Sequence, residues 1–238
     1  MKKKIILWLK RQLKDSGAKG IVLGLSGGLD STVVAALAKE AIGKGRVLAL
    51  ILPCHSRAQD LKDAQLVARR LGITTKTIGL TNIYDNLVKI LPQAGGLTRA
   101  NLRPRLRMTI LYYFANKLNY LVCGTGNKSE LAVGYFTKYG DGGVYILPTG
   151  DLLKTQVRKL AGELRVPLPI INKPPSAGLW PGQTDEGEMG ITYPELDDIL
   201  GRLKNKRKQV LPAGKVNKVK GMIKKSGHKR QGPRICYI

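Results

Sequence analysis

The sequence has few acidic residues, few aromatic residues and only three cysteines. Lys and Arg number 41 against 16 Asp and Glu, aromatic residues make up 5% of the chain, and the cysteines stand far apart at Cys54, Cys123 and Cys236. Without a C-x-x-C pair or a close cysteine cluster, the pattern argues against a disulfide framework and against a zinc site. We therefore expect a protein of the reducing cytoplasm.

Long apolar segments are also missing, and none approaches the roughly 20 residues that span a bilayer. Met1 and the basic residues Lys2 to Lys4 precede the apolar residues Ile5 to Leu9, and more charge follows, which is typical of an amphipathic helix rather than a signal peptide. We expect no association with a membrane. With 238 residues, 43% of them hydrophobic, the chain is long enough to bury a core and is expected to form a single domain over 1–238.

About half of the formal net charge of +25 lies near the C-terminus. No acidic residue follows Asp198, whereas thirteen Lys and Arg residues do. Because like charges repel, we expect a basic, flexible segment at about 204–238 that becomes ordered when it binds a polyanion. The polyanion could be nucleic acid, a nucleotide or simple counterions, and the charge alone makes nucleic acid the default partner.

Short β-type apolar segments alternate with helical patterns along most of the chain. The pattern predicts, in order, helix 3–16, strand 21–25, helix 29–42, strand 47–52, helix 61–71, strand 74–78, helix 106–118, strand 120–123, an irregular proline-rich segment at 166–184 and helix 193–203. This alternation indicates an α/β fold of the Rossmann-like class, in which helices cover both faces of a twisted parallel sheet.

A glycine-rich segment, Ser26-Gly27-Gly28-Leu29-Asp30-Ser31, connects the first predicted strand to its helix. Backbone amides, serine hydroxyls and the helix N-terminus at this edge of a sheet can bind a phosphate. Since a carboxylate repels a phosphate unless a hard cation lies between them, Asp30 implies Mg²⁺. The alternative is an ordinary turn in which Asp30 and Ser31 only start a helix. The order of strand, turn and helix favours phosphate binding.

The loop resembles the pyrophosphate-binding loop of the N-type ATP pyrophosphatases, which activate a substrate as its adenylate. Four later segments resemble, in order and spacing, the ammonia-dependent NAD synthetase family. They are G-T-G-N-K-S-E at 124–130, Y-F-T-K-Y-G-D-G-G at 135–143, the segment from K-P-P-S-A-G-L-W at 173–180 to residue 190, and H-K-R-Q at 228–231. The resemblance implies an adenine nucleotide alpha hydrolase-like fold, with the whole chain forming one NAD synthetase domain.

For ATP and its metal, the resemblance implies a role for individual residues. The ATP contacts that it implies are Gly24, Leu25, Ser26, Gly27, Gly28, Leu29, Asp30, Ser31, Thr125, Lys154 and Ser176. Asp30 and Glu130 are the implied Mg²⁺ ligands. Asp30, Lys154 and Asp141 are the implied catalytic residues, and Asp141 faces the incoming ammonia.

For the second substrate, deamido-NAD, the resemblance implies contacts from Arg105, Lys138, Tyr145, His228 and Lys229. The chain departs from the family pattern at two positions. Pro104 replaces an alanine in the A-R-x-R-M pattern, and Tyr145 stands where many members carry an aspartate that contacts the substrate.

Taken singly, several of these residues also have ordinary structural explanations. Glu130 follows a turn and could simply satisfy a helix N-terminus, and Lys154 could be a solvated lysine. Arg105 lies in a basic run of the kind that is usually solvated, and a lone histidine such as His228 is more often exposed than a ligand. Only their occurrence together, in the family's order, favours the functional interpretation.

The implied reaction joins ammonia to the carboxylate of deamido-NAD through an acyl-adenylate, consuming ATP and releasing AMP and pyrophosphate. We expect ammonia as the nitrogen source, because 238 residues leave no room for a glutamine-hydrolysing domain of typical size. A tRNA-modifying pyrophosphatase that adenylates a base is the main alternative, and a nucleotide-binding regulator is another. This chain lacks the paired cysteines that sulfur-transferring members of the tRNA-modifying class use. We therefore expect that nucleic acid is not required.

The family resemblance also implies a homodimer whose dinucleotide site takes residues from both subunits. Tyr112, Tyr113 and Phe114, on the predicted helix 106–118, are candidates for its apolar interface. Ordinary core packing is the alternative role for these three side chains.

Overall fold

A computed structural model describes residues 1–180, 182–205, 207 and 210–236. Within them, one parallel sheet contains β1 (Gly20–Gly24), β2 (Val47–Ile51), β3 (Thr74–Thr77) and β4 (Tyr120–Cys123) in the order β3-β2-β1-β4. The register pairs Leu23 of β1 with Ala49 of β2 and with Cys123 of β4. The carboxyl ends of all of these strands therefore meet at one edge of the sheet.

Helices connect and flank the strands. They are α1 (Lys2–Ser16), α2 (Leu29–Ile42), α3 (Ala58–Leu71), α4 (Thr81–Ile90), α5 (Gly96–Ala100), α6 (Leu102–Leu118), α7 (Lys128–Val133), α8 (Lys154–Glu163), α9 (Leu168–Ile171), α10 (Asp185–Met189), α11 (Tyr193–Lys204) and α12 (Ala213–Lys225). Two 3₁₀ turns, Lys44–Arg46 and Gly227–Arg230, complete the regular structure of the described residues.

Helices pack on both faces of the sheet, as the sequence predicts. Ile21 and Leu23 of β1 point into a core formed with α1, α2 and α8, whereas Val22 points into a core formed with α4 and α6. This alternation follows from the two-residue repeat of a strand. A third apolar cluster joins α7, α11 and α12 through buried side chains such as Leu196 and Val219. The predicted α/β class is confirmed.

Most predicted elements are present with small differences in their bounds. The bounds of α2 and β4 are those predicted. The helix predicted at 106–118 begins earlier, at Leu102, because Pro104 falls in its first turn, where the missing amide of a proline costs no hydrogen bond. The segment predicted as irregular at 166–184 contains the short helix α9.

The sheet is not buried at every strand. All residues of β3, Thr74–Thr77, are exposed, so the prediction of strands covered on both faces is wrong for this one. The strand lies at the edge of the sheet, where a short, polar strand discourages pairing with another chain.

The basic C-terminal part contains a helix among its described residues. Val216 and Val219 of α12 are buried against α7 and α11. Lys206 and Lys208 of the predicted basic segment lie outside the described residues, and the flexibility of 204–238 stays a prediction. Among the described residues, no helix has both the length and the apolar composition needed to cross a membrane.

Candidate active site

A cavity of about 490 Å³ opens at the carboxyl edge of the sheet. Its walls come from the segments that follow β1, β2 and β4, together with a segment around Pro174 and Ser176. Ligands of α/β sheets bind at this edge, and the volume falls within the range of small-molecule sites. Most of the residues predicted from the sequence line it: Gly24, Leu25, Ser26, Gly28, Leu29, Asp30, Ser31, Thr125, Glu130, Asp141, Lys154, Ser176 and Lys229.

The loop after β1 is shaped by its own hydrogen bonds. Ser26 Oγ lies 3.0 Å from Ser31 Oγ and accepts the Gly28 amide at 3.2 Å. Gly27 has a φ of +75°, and a Cβ there would lie 2.6 Å from the Asp60 carbonyl oxygen, so only glycine fits. Gly28 precedes α2 and has no side chain with which to cap the helix. The loop thus presents the N-terminus of α2 to the cavity as a site for an anion.

Lys154 lies between two carboxylates. Its Nζ is 2.5 Å from Asp30 Oδ2 and 3.2 Å from Glu130 Oε1, and the lysine side chain is only 5% exposed. On another side, Nζ lies 4.8 Å from the centroid of the Tyr193 ring, a cation–π distance. The predicted catalytic residue Lys154 and the two predicted metal ligands therefore form one cluster beside the phosphate loop.

The charges and burial of the cluster shift the pKa values of Lys154 and Glu130. Desolvation lowers the pKa of Lys154, but the charges of Asp30 and Glu130 outweigh it and hold the pKa above its usual value. Desolvation raises the pKa of Glu130, the Asp30 charge raises it further, and Lys154 offsets only part of the effect. The lysine therefore stays charged, while Glu130 takes up a proton more readily than an ordinary glutamate.

Asn127 orients both carboxylates. Its Nδ2 donates to Asp30 Oδ1 at 3.0 Å, and its Oδ1 accepts the Glu130 amide at 3.1 Å. The Glu130 carboxylate in turn accepts the Asn127 amide at 3.1 Å, which completes a capping box at the start of α7. No role for Asn127 is predicted from the sequence. The N-x-x-E spacing was the signal that could have identified it.

These carboxylates suit a magnesium ion. Asp30 and Glu130 contact one and the same ammonium group, so a single cation can touch both of them. Carboxylate oxygens are ligands that Mg²⁺ prefers, and the two carboxylates carry one more negative charge than Lys154 neutralises. The donor set of this structure therefore fits the metal that the loop implies.

Lys229 and Asp141 line the same cavity. Lys229 Nζ donates to the carbonyl oxygens of Gly134 and Phe136 at 2.7 and 2.8 Å. Asp141 accepts the Thr137 amide at 2.9 Å, and desolvation by the surrounding protein raises the pKa of its carboxyl. A cation from the C-terminal part and a carboxylate from the 135–143 segment are thus available to a second ligand in this cavity.

The other four predicted contacts to the dinucleotide lie outside the cavity. Arg105 Nε donates to the Lys138 carbonyl oxygen at 3.4 Å, and Lys138 Nζ donates to the His228 carbonyl oxygen at 2.7 Å. Tyr145 is 63% exposed. Arg107, which follows Arg105 by two positions, lines the cavity and donates to the Leu52 carbonyl oxygen at 3.0 Å. Arg107 is not among the contacts predicted from the sequence.

Comparison with known proteins agrees with this geometry. The model of the NAD synthase family matches residues 1–233. The chain belongs to the NAD synthase family. It is 48% identical to the NH₃-dependent NAD⁺ synthetase of Archaeoglobus fulgidus, with 97% of this chain and 94% of that protein aligned. It is 47% identical to that of Carboxydothermus hydrogenoformans, over 99% of this chain and 96% of the relative.

Solved structures of similar proteins share the fold of this NAD synthase family member. An NMN synthetase from Francisella tularensis matches with a TM-score of 0.92 and 39% identity, over 100% of this chain and 97% of that one. An NH₃-dependent NAD synthetase from Campylobacter jejuni matches with a TM-score of 0.87 and 30% identity, over 99% and 97% of the two chains.

A second ionic cluster beside the phosphate loop was not predicted. Lys173 Nζ lies 2.8 Å from Asp60 Oδ1, 2.5 Å from Asp63 Oδ2 and 3.4 Å from the Gly27 carbonyl oxygen. Desolvation raises the pKa of Asp60, but hydrogen bonds from Arg57 and Lys173 outweigh it and leave the pKa below its usual value. Lys173 belongs to the segment that also carries the predicted ATP contact Ser176. Its contacts connect that segment to α3 and to the phosphate loop.

Proposed function

We propose that this protein amidates deamido-NAD with ammonia in an ATP-dependent reaction that yields NAD⁺, AMP and pyrophosphate. One observation carries the proposal: Lys154, Asp30 and Glu130 form a charged cluster beside the Ser26–Ser31 loop, within the cavity that Asp141 and Lys229 also line. The cavity thus combines a phosphate site, a cation site and groups for a second substrate.

The chemistry requires activation of a carboxylate, because direct attack by ammonia would have to expel oxide. Adenylation replaces that leaving group with AMP. In this step the amides and hydroxyls of the 26–31 loop hold the departing pyrophosphate, and the ammonium of Lys154 neutralises charge that develops on it. Mg²⁺ bound by Asp30 and Glu130 would supply further charge neutralisation at the phosphates.

In the second step, ammonia attacks the acyl-adenylate and AMP leaves. A group near the carbonyl must accept a proton from the attacking nitrogen. Asp141 suits this role because it lines the cavity and because desolvation raises its pKa, which makes its carboxylate a better proton acceptor. Lys229, in the same cavity, would bind a phosphate of the dinucleotide.

We also infer a homodimer that forms through the outer face of α6. Tyr112 and Tyr113 are 38% and 58% exposed, and Phe114 packs partly into the core. Arg105 precedes Tyr112 by two helical turns and is exposed on the same face. A partner on this face would bury the tyrosines and would bring Arg105 and the neighbouring Lys138 to a shared dinucleotide site.

Sedimentation equilibrium tests the dimer. We expect the wild-type protein to sediment as a dimer, and we expect Tyr113→Glu to sediment as a monomer with weaker deamido-NAD binding. A wild-type monomer with full activity would refute the dimer and leave the reaction itself untouched. The buried free thiols of Cys54 and Cys123 are consistent with action in a reducing compartment.

The reaction is tested by quantifying NAD⁺, AMP and pyrophosphate in a mixture of ATP, Mg²⁺, ammonium and deamido-NAD. We expect equal amounts of the three products, and none when purified glutamine replaces ammonium. Formation of ADP, or the absence of an amide product, would contradict the proposal.

Two further arms of the assay test other substrates. One replaces deamido-NAD with nicotinate mononucleotide, because a similar structure is that of an NMN synthetase. A much higher kcat/KM with the mononucleotide would change the assigned substrate while keeping the reaction class. The other arm titrates bulk tRNA. Adenylation of tRNA, without amidation of either nucleotide, would support the pyrophosphatase alternative.

A further inference from the structure

Asp197 is a buried carboxylate that lies outside the cavity. It is on α11, its residue is 5% exposed, and it accepts three hydrogen bonds from two other helices. Thr155 of α8 donates to Oδ2 through its amide and through its hydroxyl, each at 2.8 Å. Ser129 of α7 donates to Oδ1 through its hydroxyl. The carboxylate therefore ties α7 and α8 to α11.

Asp197 caps the N-terminus of α8. The first amides of a helix have no partner within it, and a side chain at the N-cap usually accepts one of them. Here the N-cap is Leu153, whose side chain cannot accept a hydrogen bond. Asp197 accepts the Thr155 amide instead, and its negative charge is favourable at the positive end of the helix. A residue distant in sequence thus supplies the cap.

The capped turn carries the catalytic lysine. Lys154 is the first residue of α8, and its amide donates to Ser129 Oγ at 2.9 Å, the same hydroxyl that donates to Asp197. Ser129 directly precedes Glu130 in the first turn of α7. Asp197 consequently joins the two helical turns that carry Lys154 and Glu130.

A second residue of α11, Tyr193, contacts the side chains of Lys154 and Glu130 directly. Tyr193 lies one turn before Asp197; its ring faces the Lys154 ammonium at 4.8 Å, and its hydroxyl lies 3.4 Å from Glu130 Oε1. Helix α11 therefore acts on both parts of Lys154. Asp197 positions its backbone through Ser129, and Tyr193 contacts its side-chain ammonium.

We propose that Asp197 is a positioning residue that sets Lys154, through the first turns of α7 and α8, at the place where it contacts the phosphates of ATP. The effect on turnover rests on the proposed function, whereas the effect on phosphate binding does not. Asp197 touches no substrate in this arrangement, because Ser129 and Thr155 lie between it and the cluster.

The test compares Asp197→Asn with Asp198→Asn. The second residue is adjacent on α11 but is 38% exposed and pairs with Arg202, which makes it a matched control. Asparagine keeps the size of Asp197 but loses the charge. One carboxylate oxygen is replaced by an NH₂ group, which would place a donor against the donors of Ser129 or Thr155 and break a hydrogen bond there. We expect Asp197→Asn to bind pyrophosphate, with Mg²⁺ present, about tenfold more weakly. We expect Asp198→Asn to stay within about twofold of wild type.

A double-mutant cycle separates positioning from a general effect on folding. In a Lys154→Met background, a residue that acts through Lys154 has little left to disturb, so adding Asp197→Asn should change pyrophosphate affinity by less than about twofold. An equal loss in both backgrounds would overturn the proposal, as would unchanged affinity in the single variant. Should Asp197→Asn fail to fold, Ser129→Ala in the same cycle breaks the link from Asp197 to the Lys154 amide and should give the same pattern.

Pyrophosphate binding keeps this result independent of the proposed reaction. If the wild-type protein formed no NAD⁺, the proposed function would fail, yet the cycle would still report whether Asp197 acts through Lys154. If amidation occurs, kcat should fall with pyrophosphate affinity in Asp197→Asn, while the KM for ammonium should stay unchanged. A fall in the apparent affinity for ammonium alone would contradict a role at the phosphate site.

Discussion

Lys154 and Asp30 stand 124 positions apart in the chain and form an ion pair, with Nζ of the buried lysine 2.5 Å from Oδ2 of the half-buried aspartate. Glu130 completes the cluster, so two carboxylates face one ammonium group. Two carboxylates and one ammonium leave the cluster short of positive charge, and a divalent cation held by the carboxylates would more than offset the shortage and free Lys154 to contact a phosphate. A lysine and a metal ion can therefore act on the same pyrophosphate without repelling each other strongly.

Asp30→Asn tests the charge at this site. The substitution keeps the size of the side chain but removes half of the negative charge available to Mg²⁺, so we expect turnover to fall at least about a hundredfold while the protein stays folded. Steady-state kinetics and thermal unfolding measure the two effects. Asp151→Asn is the control, because Asp151 is 87% exposed and pairs with Lys128 at the surface. Near-normal turnover in Asp30→Asn would contradict the metal assignment.

The magnesium requirement should depend on pH through Glu130. Desolvation and the Asp30 charge raise the pKa of Glu130 above its ordinary value of 4.5, and a ligand must be ionised to bind a metal. Lowering the pH through the raised pKa protonates Glu130, so the Mg²⁺ concentration for half-maximal rate should increase. Glu130→Gln, which cannot ionise, should need more Mg²⁺ at every pH and show a flatter dependence. Protonation of ATP itself affects both proteins equally, so only the difference between them reports on Glu130. If the Mg²⁺ concentration for half-maximal rate changed with pH by the same amount in both proteins, this role of Glu130 would be refuted.

Gly27→Ala should disrupt the phosphate loop. Its φ of +75° is unfavourable for alanine, and the new Cβ would lie 2.6 Å from the Asp60 carbonyl oxygen. We expect a loss of roughly 1–3 kcal/mol in the free energy of unfolding, measured with urea, together with weaker ATP binding. Gly45→Ala is the matched control, because a Cβ at Gly45 would meet no atom within 4 Å and the φ of this residue is not positive. Equal stability of the two variants would show that the loop tolerates a side chain.

Truncation before Gly227 should weaken dinucleotide binding and leave ATP binding largely unchanged. The deletion removes Lys229, which reaches the cavity from the C-terminal part, whereas the phosphate loop belongs to the other end of the sequence. Calorimetric titration of both ligands measures the two affinities. Lys229→Met should reproduce the effect, and Lys225→Met, at an exposed position, should not. If the truncation instead lowered RNA affinity and its salt dependence while sparing the dinucleotide, the basic segment would serve nucleic acid.

Local sequence signals were sufficient for the fold class and for the phosphate loop. The bounds of α2 follow from its apolar spacing and from the glycines at each end, and those signals involve residues close together in the chain. The same holds for β4, an apolar segment between a polar helix end and a glycine. Glu130 and Lys154 were selected through family resemblance, and the structure brings them together with Asp30 in one cluster, while their roles stay predictions.

The sequence by itself determined the four strands, the five helices that it predicts and the place of the phosphate loop, because these properties depend on neighbouring residues; α4, α5 and α12 were not predicted. Only the tertiary structure decided which partners meet: Lys173 with Asp63, 110 positions away, and Asp197 with Ser129, 68 positions away. It also decided that Arg107 rather than Arg105 lines the cavity. Both arginines belong to α6, whose apolar side chains do not gather on one face, so the local pattern does not show which of the two points inward.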